Sequence, residues 1–206
     1  MHKLILDRLP NELVNEVKSS FHDLPHTGHK DSEFRLRRYS VIDFLGSIVD
    51  GTTFTQSSDY YNYQGDVARE FEPIQESVVN TKCFKKMLGL FRHAGELDTE
   101  NVEVHQMRVT VPHSSMVAEL SPEGPHQDGY DAVGIFSIAR HNVCGGELLV
   151  FDDKDEHPVW SMLMKPGEVV VFNDREVWHD GNCIARDVEG IDENYMDVFV
   201  FTARRD

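Results

Sequence analysis

Cysteine is scarce in this chain. Cys83, Cys144 and Cys183 are the only three in 206 residues, they lie far apart, and no CxxC pair occurs. That count and spacing leave no basis for a disulfide framework or a thiolate zinc site, and a reducing cytosol is the expected compartment. Long apolar runs are missing as well. No stretch approaches the roughly 20 residues needed to cross a bilayer, and the opening MHKLILDRLP has neither the apolar stretch nor the small-residue cleavage site of a signal peptide. A cytoplasmic protein with no membrane partner is expected. Positive charge is also short: 20 Lys and Arg stand against 36 Asp and Glu, a formal net charge of −16. This argues against sequence-independent binding to nucleic acid or anionic lipid. What is present is ordinary, 40% hydrophobic and 27% charged, which fits one globular core and neither a disordered nor a collagen-like chain.

No repeat, low-complexity tract or linker divides the sequence, so residues 1–206 are expected to form a single domain. Residues 1–100 read as a helical and irregular buttress and 101–206 as the core. In the first half, Leu13, Val17 and Phe21 share one face of a helix predicted over 11–21, with Asn11 able to cap it after Pro10. A second helix is predicted over 81–93, where Phe84, Leu88 and Phe91 recur at helical spacing and Thr81 can cap. From residue 103 the texture changes to short β-rich runs: 103–111, a run ending near Asp128, 132–139, 146–151, 158–164, 168–173, 177–180 and 195–203. Runs of this length with Gly-Gly and Pro-Gly turns between them predict a mainly β fold with flanking helices, a jelly roll or cupin-like double-stranded β-helix.

The chemistry gathers in GPHQDG and VWHDG. Residues two apart on a strand project to the same face, so His126 and Asp128 can bind one ion together, and His179 from another strand end can complete the site. Two imidazoles and one carboxylate on one face of an octahedron leave three positions open, the arrangement of non-haem Fe(II) oxygenases. HxD alone is a short pattern in a chain with 11 histidines. Its context is what carries weight: a strand follows the pair, then GGELLVF, then KPGEVVVFND, and His179 sits just beyond. Among the other histidines, His105 and His141 read as core or supporting groups, and His22, His26 and His29 as a loose cluster in a solvated loop.

That order resembles the Fe(II) and 2-oxoglutarate-dependent dioxygenases. Within them, RLRRYS (35–40), YNYQGDVAREF (61–71) and HQMR (105–108) are similar to segments of the bacterial free-amino-acid hydroxylases related to isoleucine dioxygenase, a likeness running from about residue 33 to 203. The resemblance implies hydroxylation or sulfoxidation of a small free aliphatic L-amino acid. Fe(II) would be held by His126, Asp128 and His179, with 2-oxoglutarate and O2 as cosubstrates, the former leaving as succinate and carbon dioxide. A free amino acid needs a carboxylate clamp, best supplied by Arg. Arg35, Arg37, Tyr39 and Arg69 are the candidates from the matched segments, and surface salt bridging is the alternative reading of each.

One departure stands out. The resemblance implies an Arg opening the last strand to grip the far carboxylate of 2-oxoglutarate, and Met196 occupies that position. Met cannot replace a bidentate cationic donor. Arg204, by strand parity with 196, and Arg108, on the first barrel strand, are the expected substitutes, and Arg186 begins a polar segment (186–194) able to fold over the mouth. The alternatives are a different cosubstrate or lost activity. A carrier-bound or peptide side chain is the competing substrate, and a catalytically silent metal-binding jelly roll the competing class. Residues 44–62, rich in Ser, Thr and Tyr, are a candidate lid.

Overall fold

The run Tyr195–Ala203 alternates two kinds of side chain: Phe199, Phe201 and Ala203 on one face, Met196, Val198, Val200 and Thr202 on the other. Nearly all of them are buried, so the strand needs a layer on each side. The computed structural model, which describes residues 3–50, 53–58, 65–98, 101–113 and 115–205, has helices on one side and a smaller sheet on the other.

In chain order the first half contains β1 (Leu4–Arg8), α1 (Asn11–Lys18) continued by a 3₁₀ turn (Ser19–Phe21), β2 (Arg35–Asp43), β3 (Ile48–Asp50), β4 (Thr53–Phe54), β5 (Arg69–Glu70), α2 (Glu76–Val79) and α3 (Lys82–Gly95). The second half adds β6 (Asn101–Val109), β7 (Val117–Ala118), β8 (Ala132–His141), β9 (Val143–Gly145), β10 (Leu148–Phe151), β11 (Trp160–Met162), β12 (Glu168–Phe172), β13 (Trp178–Gly181), β14 (Ile184–Arg186) and β15 (Tyr195–Ala203). A seven-stranded antiparallel sheet runs β1-β12-β8-β15-β6-β2-β3. It faces a smaller sheet, β11-β10-β13, which the bridge between His126 and His179 extends by one rung. This is the expected jelly roll.

Two expectations change. The first half is less of a helical buttress than its sequence suggests, because β1 and β2 join the main sheet, β1 beside β12 and β2 beside β6 over nine residue pairs. The run ending near Asp128 is not a continuous strand either; only β7 and the single bridge at His126 pair there. Smaller adjustments occur at the caps. Thr81 Oγ1 accepts from the Phe84 N–H at 3.1 Å as expected, whereas Pro10 holds the cap of α1 and Asn11 is already helical.

The helix side is closely packed. α3 buries Phe84, Met87, Leu88 and Phe91 against the sheet, and Phe201 meets Phe84, Phe91 and Phe136 with ring centroids 5.5, 5.7 and 4.8 Å away. Each such ring contributes about 1.5–3 kcal/mol by burial. Gly134 makes the close approach possible, since a Cβ there would lie 2.6 Å from the Phe91 ring. Among the described residues no helix is long and apolar enough to cross a membrane.

Candidate active site

His126 and His179 are cross-strand partners: the N–H of each donates to the carbonyl of the other at 2.9 Å. Direct partners on neighbouring strands project to one face, and the two rings stand 4.3 Å apart. Asp128 comes between them, one carboxylate oxygen 3.7 Å from His126 Nε2 and the other 3.5 Å from His179 Nε2. One donor atom from each of the three residues lies within 4.8 Å of the others, the only such grouping among the described residues. The donor set suits Fe(II) chemically, as two neutral nitrogens and a carboxylate on one side leave the remaining positions open.

The surroundings fix the positions of this set. His126 Nδ1 lies 2.9 Å from the Gly124 carbonyl oxygen; a proton kept on Nδ1 to donate there leaves the Nε2 lone pair facing the site. Gln56 donates to Asp128 Oδ1 at 3.0 Å. Asp174, 1% exposed, accepts the N–H groups of Asp128, Gly129 and Tyr130 at 3.1, 2.8 and 3.1 Å, which fixes the turn carrying Asp128. Burial opposes charge on Asp128, but hydrogen bonding and attraction from His179, with His126 and Gln56, hold its carboxyl well below the usual range. Burial likewise opposes charge on His179, and Asp128 outweighs it, raising the imidazole.

Asp174, Gln56 and Glu123 were not singled out from the sequence. Asp174 sits in FNDREVWHD as any turn Asp would, and Gln56 lies in a Ser- and Thr-rich loop. Glu123, three residues before His126, is pushed up by burial, and its Oε2 has no hydrogen-bond partner.

Next to the triad is a cavity of ≈ 190 Å³ between the two sheets. Its walls are largely apolar, with Met107, Val109, Ile135, Val198 and Val200 among them, and Arg35, Arg37 and Arg69 line it together with His105. Arg35 Nη1 is 2.9 Å from Asp31 and its Nη2 donates to the Leu120 carbonyl oxygen at 2.7 Å. Arg37 shares Asp31 at 3.5 Å, and Arg69 stacks on Phe54 at 4.8 Å. Tyr39 stands behind the wall instead: its hydroxyl donates to Glu103 at 2.8 Å and its ring backs His105 at 4.8 Å. Burial, then Arg37 and Arg69, hold His105 well below its ordinary value, so it is neutral.

The two expected anchors for the far carboxylate lie elsewhere. On β6 the residues facing the cavity are His105, Met107 and Val109; Arg108 therefore points to the helix side, where its Nε and Nη2 grip Asp197 at 2.7 and 2.8 Å. Arg204 lies beyond the end of β15, where strand parity no longer applies, and stacks exposed on Tyr130 at 4.7 Å. Arg186 clamps the Val111 carbonyl oxygen at 2.7 Å. Of the candidate lid, 51, 52 and 59–62 lie outside the described residues, while Phe54 and Gln56 are part of the cavity wall. The loose histidines do not converge: His26 meets the Ser32 carbonyl oxygen and His29 that of Glu70.

A jelly roll bearing two imidazoles and a carboxylate beside an internal cavity defines the class of mononuclear non-haem iron oxygenases. A family model described as 2OG-Fe dioxygenase matches residues 18–202, and the chain belongs to that family. It is an Fe(II)- and 2-oxoglutarate-dependent dioxygenase that consumes O2. A bsmA homologue from Methylobium petroleophilum PM1 has a similar structure, with a TM-score of 0.80 at 25% identity over 96% of this chain and 82% of its own. IDO from Bacillus thuringiensis scores 0.71 at 16% identity over 98% and 93%. The Fe(II)/α-ketoglutarate-dependent dioxygenase TqaL scores 0.68 at 14% identity over 99% and 83%. The last two likenesses are of fold. No curated protein matches the chain.

Proposed function

We propose that this dioxygenase hydroxylates a small free L-amino acid, with iron held by His126, Asp128 and His179. Bound Fe(II), 2-oxoglutarate and O2 together supply the oxidant, one oxygen atom going to a substrate C–H bond and the other to succinate, with release of carbon dioxide.

The observation that carries the substrate reading is the row of Arg35, Arg37 and Arg69 along a small, mostly apolar cavity. Guanidinium groups are suited to hold a carboxylate in two-point contact, and Asp31 already fixes two of them in position. Glu123 offers Oε2 to the ammonium, and such a partner would offset the burial that raises its carboxyl. The aliphatic wall of Met107, Val109 and Val198 suits an apolar side chain and excludes water from the reacting carbon. His105, neutral and backed by Tyr39, can donate or accept without adding charge. A net charge of −16 works against polyanionic substrates.

The test is a mass-spectrometric screen of free amino acids with Fe(II), 2-oxoglutarate and O2, run beside their α-amides. A gain of one oxygen with matching succinate on free acids, and refusal of the amides, is the expected result. Turnover of amides or peptides with refusal of the free acids sinks the reading.

A further inference from the structure

2-Oxoglutarate is a dicarboxylate: one end serves the metal, and the other carries a second negative charge into the cavity, where it must meet donors. Arg108, Arg186 and Arg204 are committed elsewhere. Arg35, Arg37 and Arg69 line the wall assigned to the substrate, and Arg140 is a further cation, which a backbone irregularity turns to the cavity face.

β8 lays Val133, Ile135 and Ser137 along the cavity, so plain alternation would turn residue 140 to the helix side. The ladder with β15 prevents this. Val198 pairs with Ser137 but Asp197 pairs with Ala139, so β8 carries one extra residue, Ile138, at that point. A bulge of this kind reverses the parity beyond it. Arg140 consequently pairs with Met196, the residue standing where an anchoring Arg is expected, and shares its face.

The guanidinium is poorly matched by what surrounds it. Nη1 lies 3.0 Å from Met196 Sδ, a weak acceptor, and Nη2 donates to the Gly145 carbonyl oxygen. Among the described residues no carboxylate forms an ion pair with Arg140, and burial lowers it from its ordinary value, opposed by the more distant Glu147. Arg140 does not itself line the cavity, but Met196 and Gly146, which do, lie beside it: a Cβ on Gly146 would come 2.7 Å from Ile184 Cγ2, 3.2 Å from Arg140 Nη1 and 3.4 Å from Met196 Sδ.

Two further observations point the same way. Ser137, 1% exposed and lining the cavity, has a hydroxyl with no hydrogen-bond partner. Arg140 and Met196 also lie at the end of the β8–β15 ladder away from the metal ligands, since at the near end Ala132 pairs with Ala203 and the Asp131 N–H donates to the Ala203 carbonyl oxygen at 2.9 Å.

We propose that Arg140, turned inward by the bulge at Ile138, receives the far carboxylate of 2-oxoglutarate with the Ser137 hydroxyl as a second donor, Met196 Sδ giving up its contact to a carboxylate oxygen. The assignment rests on the family's use of 2-oxoglutarate and not on the amino-acid reading, because it is tested without substrate.

The experiment titrates the Zn(II)-loaded full chain calorimetrically with 2-oxoglutarate and with 2-oxopentanoate, in which a methyl group replaces the far carboxylate. A charge-assisted contact predicts a preference for 2-oxoglutarate of roughly 10–100-fold. Arg140→Met should bring that ratio close to one while 2-oxopentanoate still binds, Arg140→Lys should retain part of it, and adding Met196→Arg to Arg140→Met should restore it. A ratio that survives Arg140→Met, a loss of both acids to the same degree, or a collapse in Arg37→Met alone overturns the assignment.

Discussion

On the helix side of β15, Phe199 and Phe201 interlock with Phe21, Phe84, Phe91 and Phe136 at centroid distances of 4.8 to 5.9 Å. On the cavity side, Val198, Val200 and Thr202 look across to the smaller sheet, and buried polar atoms without hydrogen-bond partners accumulate: Ser137 Oγ, Thr202 Oγ1, His105 Nδ1, Glu123 Oε2 and Asp180 Oδ1. Among the described residues Gln106 Oε1 is such an atom on the helix side. Native interiors pair nearly all their buried polar groups. One face of the same strand is therefore built for packing and the other for a ligand that brings its own donors and acceptors.

The largest effect that would break this comparison is at the metal end. Asp128→Ala removes the one carboxylate between His126 and His179, and turnover should fall on the order of 10³-fold or more. The fold should survive, since Asp128 is partly exposed and its side-chain contacts are polar, to Gln56 and the two imidazoles. Succinate formation gives the rate and circular dichroism the fold. Unchanged turnover would show that the metal is bound elsewhere.

Next in size is a pair of substitutions on the two faces. Phe91→Ala should cost about 3–5 kcal/mol of stability through the cavity it leaves against Gly134 and Phe201, with Zn(II) affinity unchanged. Thr202→Val deletes a hydroxyl that has no partner and keeps the shape, so stability should stay within about 1 kcal/mol or rise. Denaturant titration measures both. Equal losses from the two would erase the distinction between packing face and ligand face.

Much of this arrangement was legible in the sequence, and what was not has physical reasons. HxD on one side of a Gly-Gly hairpin and a distal His after a Pro-Gly turn could be read because covalent spacing fixes which side chains share a face. β15 could be read end to end because its period of two is unbroken in sequence. β2 could not, because Arg35, Arg37 and Arg38 look like a solvated face until Asp31, distant from the strand pattern, is seen to bury two of them. Arg140 was invisible for the opposite reason: a bulge is a property of pairing between two strands, and alternation within AVGIFSIAR assigns residue 140 to the wrong side. Arg108 was chosen for its place on the first barrel strand and Arg204 by parity with residue 196. The first points away at the strand centre, and the second lies past the end of the strand.

The smallest effect concerns how the cationic wall is held. Asp31, 4% exposed, lies 2.9 Å from Arg35 and 3.5 Å from Arg37. Burial raises its carboxyl, but Arg37 and then Arg35 outweigh burial and hold it below the ordinary 3.8. With the folded value depressed, the unfolded chain binds the proton more readily. The stabilisation is therefore present above about pH 4, and is lost as pH falls through the folded value. Asp31→Asn should flatten that acid limb in a melting-temperature series from about pH 6 to pH 2, and cost about 1–3 kcal/mol at neutral pH by leaving two buried guanidiniums short of an anion. If a bound substrate carboxylate takes up that role, a saturating free amino acid should recover part of the loss in Asp31→Asn, whereas its α-amide should recover none. An acid limb unchanged by Asp31→Asn would mean that other carboxylates hold Arg35 and Arg37 in place, and that the cavity wall keeps its charge without Asp31.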